Sequence, residues 1–353
     1  MIWIRADANE TIGSGHVMRC LSIADALKRQ GQQVCFLTAD ENAAGLLEAR
    51  GQAFRVLHTD YRRMEGELEA LEELLAGGGF FLADSYFVTA AYLDRVRERL
   101  PVGYLDDMGR RDLAADLLID YNIFAEARLY EGCKAAEFLL GPEYAPLRAE
   151  FAGNVCETRD RASRVLITTG GGDRYNLAGQ LLEKALAHPG TACLEYHVVS
   201  GAYNVHLAEL KALERRHGNL RIYSNVSDMC GLMRDSDIAV TAGGSTMYEL
   251  SALGVPMVCF SFVDNQERIV EGFVERGLVG FGGNYLLQGE AMAAEAAEAI
   301  ALLAGDRELR RTYSRRLRAV VDGRGAMRIA RRIIQKSQEG AQSASQSAWQ
   351  IAD

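Results

Sequence analysis

Residues 241–249 read Thr-Ala-Gly-Gly-Ser-Thr-Met-Tyr-Glu, and Leu-Gly-Val-Pro follows at 253–256. The apolar run at 238–241 has the length and composition of a buried strand. Two glycines then turn the chain, 246–253 has helical spacing and is closed by Gly254, and 257–260 is a second buried strand. Strand, glycine turn, helix and strand in succession make a βαβ unit, the building block of parallel sheets with helices on both faces. The turn also carries chemistry. Gly243 and Gly244 let the backbone approach a ligand closely. Ser245 and Thr246 open a helix whose free N–H groups and positive dipole end face an anion such as a phosphate. Glu249, one turn inside, is placed to accept hydrogen bonds from two ribose hydroxyls; a Thr246–Glu249 capping box is the structural alternative.

The same alternation extends in both directions. Strands are expected at 164–168, 194–199 and 220–223, and helices at 177–187 and 205–217. In the N-terminal half, strands are expected at 1–5, 33–37, 53–57, 80–83 and 102–105, and helices at 16–29, 65–75 and 92–100. Residues 151–163 are polar and aperiodic and read as a linker. The fold class is therefore α/β with two Rossmann-like domains, over 1–155 and 156–336. Ligand is expected at the carboxyl ends of the strands, in a cleft between the domains. The Ser/Gln/Ala-rich segment 337–353 reads as a disordered tail.

Composition narrows the function classes. A chain of 353 residues, 48% hydrophobic and 25% charged, is globular and long enough for two cores. No run approaches the roughly 20 apolar residues of a membrane span, and no signal peptide is evident, so a cytoplasmic location is expected. The seven cysteines are scattered, lack metal-ligand spacing and read as reduced core residues. A net charge of −9 argues against general nucleic-acid binding. The ten arginines of 307–332 alternate with apolar residues at helical spacing, so they read as solvated helix faces.

Several further residues stand where chemistry is expected. Gly13-Ser-Gly15-His16 follows the first strand and opens the first helix, which sets His16 at the carboxyl edge of the sheet, exposed, as a candidate general base. Gly13 and Gly15 of that loop are candidate substrate contacts. Asp7, just past the first strand, is placed to orient His16 or hold a sugar substituent, with loop capping as the alternative. Tyr86, past another strand end, is placed to contact sugar or diphosphate. Gly170–Gly172 can form a backbone anion nest, which makes Gly171 and Gly172 further phosphate candidates. There is no Gly-x-Gly-x-x-Gly and no Walker-A lysine, so neither a dinucleotide nor ATP is expected, and no cofactor is assigned. Asp106 and Asp107 are adjacent and would point to opposite faces of a strand, so no metal site is expected.

Two resemblances sharpen this reading. Asn225-Val-Ser-Asp-Met229, the Gly-Gly-Ser-Thr…Glu string, Gly-Val-Pro and Asn265-Gln266 resemble the UDP-binding half of the MurG-like glycosyltransferases, of glycosyltransferase-B architecture. That likeness implies that the backbone at Val226 reads the uracil edge, Glu249 holds the ribose, Gly243–Thr246 hold the phosphates, and Asn265 and Gln266 face the sugar. The N-terminal half is similar to a narrower family, the UDP-2,4-diacetamido-2,4,6-trideoxy-β-L-altropyranose hydrolases of pseudaminic acid biosynthesis. The likeness rests on Arg5-Ala-Asp-Ala, Ile12-Gly-Ser-Gly-His-Val-Met-Arg-Cys-Leu21, Ala83-Asp-Ser-Tyr86, Leu105-Asp-Asp107, Leu140-Gly-Pro-Glu-Tyr-Ala-Pro-Leu-Arg148, Thr169-Gly-Gly-Gly-Asp173 with Asn176, and Asp322-Gly-Arg-Gly-Ala326. It spans roughly residues 1–335; Pro146 departs from the family's usual leucine.

The second resemblance implies metal-independent hydrolysis of a UDP-linked diacetamido-trideoxyhexose, with His16 as base, acting beside other enzymes of a surface-polysaccharide pathway. A true UDP-sugar glycosyltransferase is the first alternative. A non-catalytic nucleotide-sugar-binding protein of polysaccharide or spore-coat assembly is the second. Neither a nucleic-acid partner nor a membrane span is expected.

Overall fold

The computed structural model describes residues 1–201 and 203–350, the side chains of 343–350 excepted. The chain forms two compact units. The first is Met1–Ala149 together with the segment from Arg324 onward; the second is Glu150–Gly323.

The first unit is built on seven parallel strands: β1 Ile2–Ala6, β2 Val34–Thr38, β3 Ala53–Val56, β4 Phe80–Asp84, β5 Val102–Leu105, β6 Leu117–Asp120 and β7 Phe138–Leu140. Their order is β3-β2-β1-β4-β5-β6-β7. The order reverses at β1 and β4, which pair from Ile2↔Phe80 to Ala6↔Asp84. Successive side chains of a strand alternate between faces. Ile2, Ile4 and Ala6 therefore pack with Val17, Cys20, Leu21, Ala24 and Leu27 of the first helix, Gly15–Arg29. Trp3 goes to the other face, among Leu71, Tyr92, Leu93 and Val96.

The second unit has six parallel strands: β8 Arg164–Thr168, β9 Glu195–Ser200, β10 Leu220–Ser224, β11 Ile238–Ala242, β12 Met257–Ser261 and β13 Gly280–Asn284. Their order is β10-β9-β8-β11-β12-β13, so this sheet reverses at β8 and β11. In open α/β sheets the reversal opens a crevice at the carboxyl ends of the two central strands. Each unit places there the loops singled out from sequence: those after β1 and β4 in one, those after β8 and β11 in the other.

Two expectations about organisation need correction. The division falls at residue 149/150 and not at 155, and 324 onward returns to the first unit. The supposed tail is helical through Gln350, as part of a helix spanning Gly325–Gln350; residues 351–353 lie outside the described residues. That helix buries Ile329, Ala330 and Ile333 against β1, β4 and the first helix. Full burial of each isoleucine contributes about 1.5–3 kcal/mol. The crossing point accounts for the two glycines of 322–326. A Cβ on Gly323, whose φ is +75°, would lie 2.7 Å from the Phe151 carbonyl oxygen; one on Gly325 would overlap that of Ala145. Only glycine fits such approaches.

Among the ten arginines, Arg310 departs from the expected solvated face. It is 1% exposed, and its guanidinium donates to the carbonyls of Leu303, Ala304, Arg159 and Asp160. All seven cysteines are free; five are buried, Cys133 is half-buried and Cys193 is exposed, unlike a core residue.

Candidate functional site

In the first unit the loop after β1 is shaped by Asn9, whose Oδ1 accepts the N–H groups of Thr11 and Ile12 while its carbonyl accepts that of Gly13. Gly13 completes the turn at φ +70°, and a Cβ on Gly13 or Gly15 would meet open space. The helix then begins at Gly15, and His16 on its first turn points back to the end of β4. His16 Nδ1 lies 2.5 Å from Asp84 Oδ1. Arg19, one turn further along the same helix face, donates from Nε to Asp84 Oδ2 at 2.6 Å and from a terminal nitrogen to Oδ1 at 2.5 Å. Its other terminal nitrogen reaches Asp107 Oδ2 at 2.9 Å and the Tyr121 hydroxyl at 3.2 Å. The Tyr86 hydroxyl donates to the same Asp107 oxygen at 3.3 Å, and its ring meets His16 edge-on with centroids 4.5 Å apart.

The electrostatics fix the imidazole. Burial pushes the Asp84 carboxyl up, but Arg19 and His16 outweigh it and hold the group far below the usual carboxylate range. Asp84 is thus an acceptor only, so His16 Nδ1 carries the proton of their hydrogen bond. In the neutral ring this leaves the lone pair on Nε2. The arrangement is that of a general base oriented by a buried carboxylate.

His16 is 5% exposed, which corrects the expectation of an exposed imidazole. The orienting acid is Asp84 and not Asp7. Asp7 Oδ2 accepts from Arg5 at 2.5 Å and its Oδ1 accepts the Ala39 N–H at 2.8 Å. Arg5 in turn donates to both oxygens of Glu67, which also accepts from Tyr92. Asp7 therefore belongs to a buried ionic cluster that ties the ends of β1 and β2 to the turn at Met64–Glu67. Arg19, Asp84, Asp107 and Tyr121 were given no role in the sequence reading. The available signal was alternation: Phe80 and Leu82 face the first helix, so Asp84 does too, and His16 and Arg19 stand three apart on that helix.

In the second unit the two glycine loops follow neighbouring strands. After β8, Asp173 accepts the N–H groups of Leu177 and Ala178 and so caps the helix that follows, while the Gly171 carbonyl accepts the Tyr203 N–H. After β11, the helix Ser245–Leu253 has Gly244 at its N-cap and no side-chain cap hydrogen bond, so Thr246 lies inside the helix and is not its cap. Ser245 and Glu249 stand four apart on one face of that helix. A Cβ on Gly243 would lie 2.9 Å from the Gln266 backbone oxygen, so the glycine is what admits the 265–266 segment beside the turn. Gln266 Oε1 accepts the Phe262 N–H at 3.0 Å, while Asn265 is exposed. Val226 follows β10 and Asn225, whose φ is +56°. The structure thus gathers Gly243, Gly244, Ser245, Thr246, Glu249 and Gln266 around one turn, with Gly171 and Gly172 after the adjacent strand. Among the described residues no group of three or more His, Cys, Asp or Glu side chains is arranged to hold a metal ion. No described helix is long and apolar enough to cross a membrane.

The fold has known counterparts. The crystal structure of Acinetobacter baumannii MurG superposes with a TM-score of 0.67 over 95% of this chain and 99% of its own, at 15% identity. The chain has the glycosyltransferase-B fold. That fold carries several chemistries, since a putative UDP-N-acetylglucosamine 2-epimerase of Listeria monocytogenes matches with a TM-score of 0.64 over 93% of this chain and 94% of its own, at 13% identity. Among curated proteins, Spore coat polysaccharide biosynthesis protein SpsG of Bacillus subtilis is 23% identical over 341 residues, 93% of this chain and 96% of SpsG. The UDP-2,4-diacetamido-2,4,6-trideoxy-β-L-altropyranose hydrolase of Campylobacter jejuni is 23% identical over 281 residues, 78% of this chain and 97% of that protein. The hydrolase resemblance drawn from motifs is therefore met by a relative that carries that name. The uncharacterized protein MJ1062 of Methanocaldococcus jannaschii is 24% identical over 78% of this chain, and the match spans 58% of MJ1062's length. No family model matches the chain.

Proposed function

We propose that this glycosyltransferase-B protein is a cytoplasmic, metal-independent hydrolase of a UDP-linked 2,4-diacetamido-2,4,6-trideoxyhexose, in the biosynthesis of pseudaminic acid or a related surface sugar. The observation that carries the reading is the His16–Asp84 pair at the reversal point of the first sheet. His16 Nε2 takes a proton from water as the water oxygen bonds to the anomeric carbon. The bond from that carbon to the UDP oxygen breaks, UDP departs with the electron pair, and the sugar is released with inverted anomeric configuration. Tyr86 and the Gly13–Gly15 loop contact the sugar, with Asn265 and Gln266 as further sugar contacts. Gly243–Thr246 and Gly171–Gly172 meet the negative charge on the diphosphate, Val226 the uracil and Glu249 the ribose. Support comes from the agreement of the motif resemblance with the Campylobacter relative, and from the uncapped helix start after β11.

The second reading is sugar transfer, in which His16 activates an acceptor hydroxyl; the likeness to MurG favours it. One experiment separates the two. The purified protein is given UDP-sugars in ¹⁸O-labelled water without acceptor. Hydrolysis predicts UDP release with the label in the sugar. Label in UDP means attack at phosphorus, and release that occurs only when an acceptor hydroxyl is added means transfer. A folded His16→Phe variant is expected to lose roughly 10²–10⁴-fold in rate.

A further inference from the structure

Behind the His16 centre, the ends of β5 and β6 are joined by a tyrosine. Tyr130 closes the 3₁₀ turn Ala127–Tyr130, and its buried hydroxyl lies 2.9 Å from Asp106 Oδ2 and 2.8 Å from Asp120 Oδ2. Asp106 and Asp120 are 1% and 0% exposed. A hydroxyl has one proton, so it can donate to only one of two ionised carboxylates; the second contact is a hydrogen bond only if that carboxyl carries a proton itself. The surrounding donors decide which does. Asp106 Oδ2 already accepts the Arg110 N–H at 2.6 Å, and its Oδ1 accepts the Met108 N–H at 2.9 Å. On Asp120, Oδ1 takes the backbone and side-chain N–H groups of Asn122, whereas among the described residues Oδ2 meets the Tyr130 hydroxyl alone. Of the two carboxyls, Asp120 therefore has the oxygen left free to carry that proton, Oδ2.

The residues next along the chain belong to the base. Asp107 and Tyr121, adjoining Asp106 and Asp120, both receive Arg19, which holds Asp84 and through it His16.

We propose that Tyr130 is a positioning residue for His16, clamping the carboxyl ends of β5 and β6 through the proton chain Asp120–H to Tyr130–H to Asp106 and thereby holding Asp107 and Tyr121 against Arg19. The clamp is a feature of the folded protein; its value to the reaction rests on the hydrolase reading. Burial pushes the Asp120 carboxyl up to about 6 and raises Asp106 as well. The charged and titratable groups facing the cluster are Asp106, Asp107 and Arg110 after β5, Tyr104 on β5 and Asp120 on β6. The Arg110 guanidinium hydrogen-bonds to Asp112 and the Val88 carbonyl, and it acts on Asp106 through space as a nearby positive charge.

The test uses the whole protein without ligand. With ¹³C-carboxyl aspartate, one resonance is expected to titrate near pH 6 and to vanish in Asp120→Asn. In Asp106→Asn the Tyr130 proton is free for Asp120, so the Asp120 midpoint drops toward the usual carboxylate range. The ¹⁵N signals of the His16 ring report the clamp. Tyr130→Phe shifts the Nδ1–H resonance, whereas Asp120→Asn, whose amide can donate to the Tyr130 oxygen, leaves it in place. Given hydrolysis, Tyr130→Phe lowers kcat about tenfold with KM within about twofold, as lost positioning predicts. Asp120 titrating in the ordinary carboxylate range in the wild type overturns the proton chain. An unmoved His16 resonance in Tyr130→Phe overturns the clamp. Failure of the wild type to hydrolyse any UDP-sugar removes the catalytic reading, and the two spectroscopic results still decide the clamp.

Discussion

His16 Nδ1 and Asp84 Oδ1 stand 2.5 Å apart, although 68 residues separate them in the chain. The sheet makes this contact: β1 and β4 are neighbours in register, so the residue that ends one strand faces the loop that leaves the other.

Replacing Asp84 with asparagine puts that relationship to work. The amide loses the charge that Arg19 neutralises and no longer enforces a proton on Nδ1. UDP release is expected to fall by roughly 10²–10⁴-fold, while UDP affinity changes little because the nucleotide contacts proposed above lie on the other unit. Steady-state rates beside calorimetric titration with UDP check both halves. A folded Asp84→Asn protein with near-normal turnover contradicts the base assignment.

Two buried carboxyls give opposite pH slopes to stability. Asp84 is depressed in the folded state, so its contribution is present above its unfolded value and is lost as pH falls through the folded value. Asp120 is raised from 3.8 to about 6, so its contribution is present below the unfolded value and is lost as pH rises through about 6. The Asp120 effect is on the order of 3 kcal/mol at most. Urea unfolding between pH 4 and 7 is expected to show this decline in the wild type and not in Asp120→Asn. Equal slopes for the two proteins contradict it.

Glu249 distinguishes nucleotide binding from helix maintenance. Its loss in Glu249→Ala is expected to weaken UDP binding tenfold or more, on the order of 1.4 kcal/mol, with little change in melting temperature. If the side chain serves only the helix, affinity survives and the melting temperature falls instead.

Turnover is expected to persist in excess EDTA, because helix and backbone N–H groups take the place of a cation at the diphosphate. Loss of activity restored by magnesium or manganese would contradict a metal-independent reaction.

The strands around the glycine loops were legible because each is a short apolar run bounded by turn residues. Leu177–Ala187 and Val102–Leu105 were placed at their observed bounds. β7, Phe-Leu-Leu, is apolar but only three residues long, and β13 is Gly-Phe-Gly-Gly-Asn, so neither makes an apolar run of strand length. β6, Leu-Leu-Ile-Asp, is an apolar run of only four residues, with no helical pattern between it and β5 to mark a βαβ unit. His16 was legible from its loop. Asp84 was seen only as a strand end, because its partnership with His16 and Arg19 exists only once β1 and β4 pair. Of the roles open to Asp7 past the end of β1, orienting His16 is the one the fold removes, because its carboxylate is taken by Arg5 and the Ala39 N–H.

The return of the chain at Arg324 sets an order on biosynthesis. Residues 150–323 are made as one uninterrupted stretch, with every part of their core in hand before the last helix is made. The first unit waits for that helix, because Ile329 and Ile333 are among the last of its core residues to be made. The half that begins first is therefore the half that finishes last. Until the final helix docks, the face of β1 and of the first helix that it covers stays open to water. A chain cut before residue 325 would keep every strand of the second unit and lack Ile329, Ala330 and Ile333 from the core of the first.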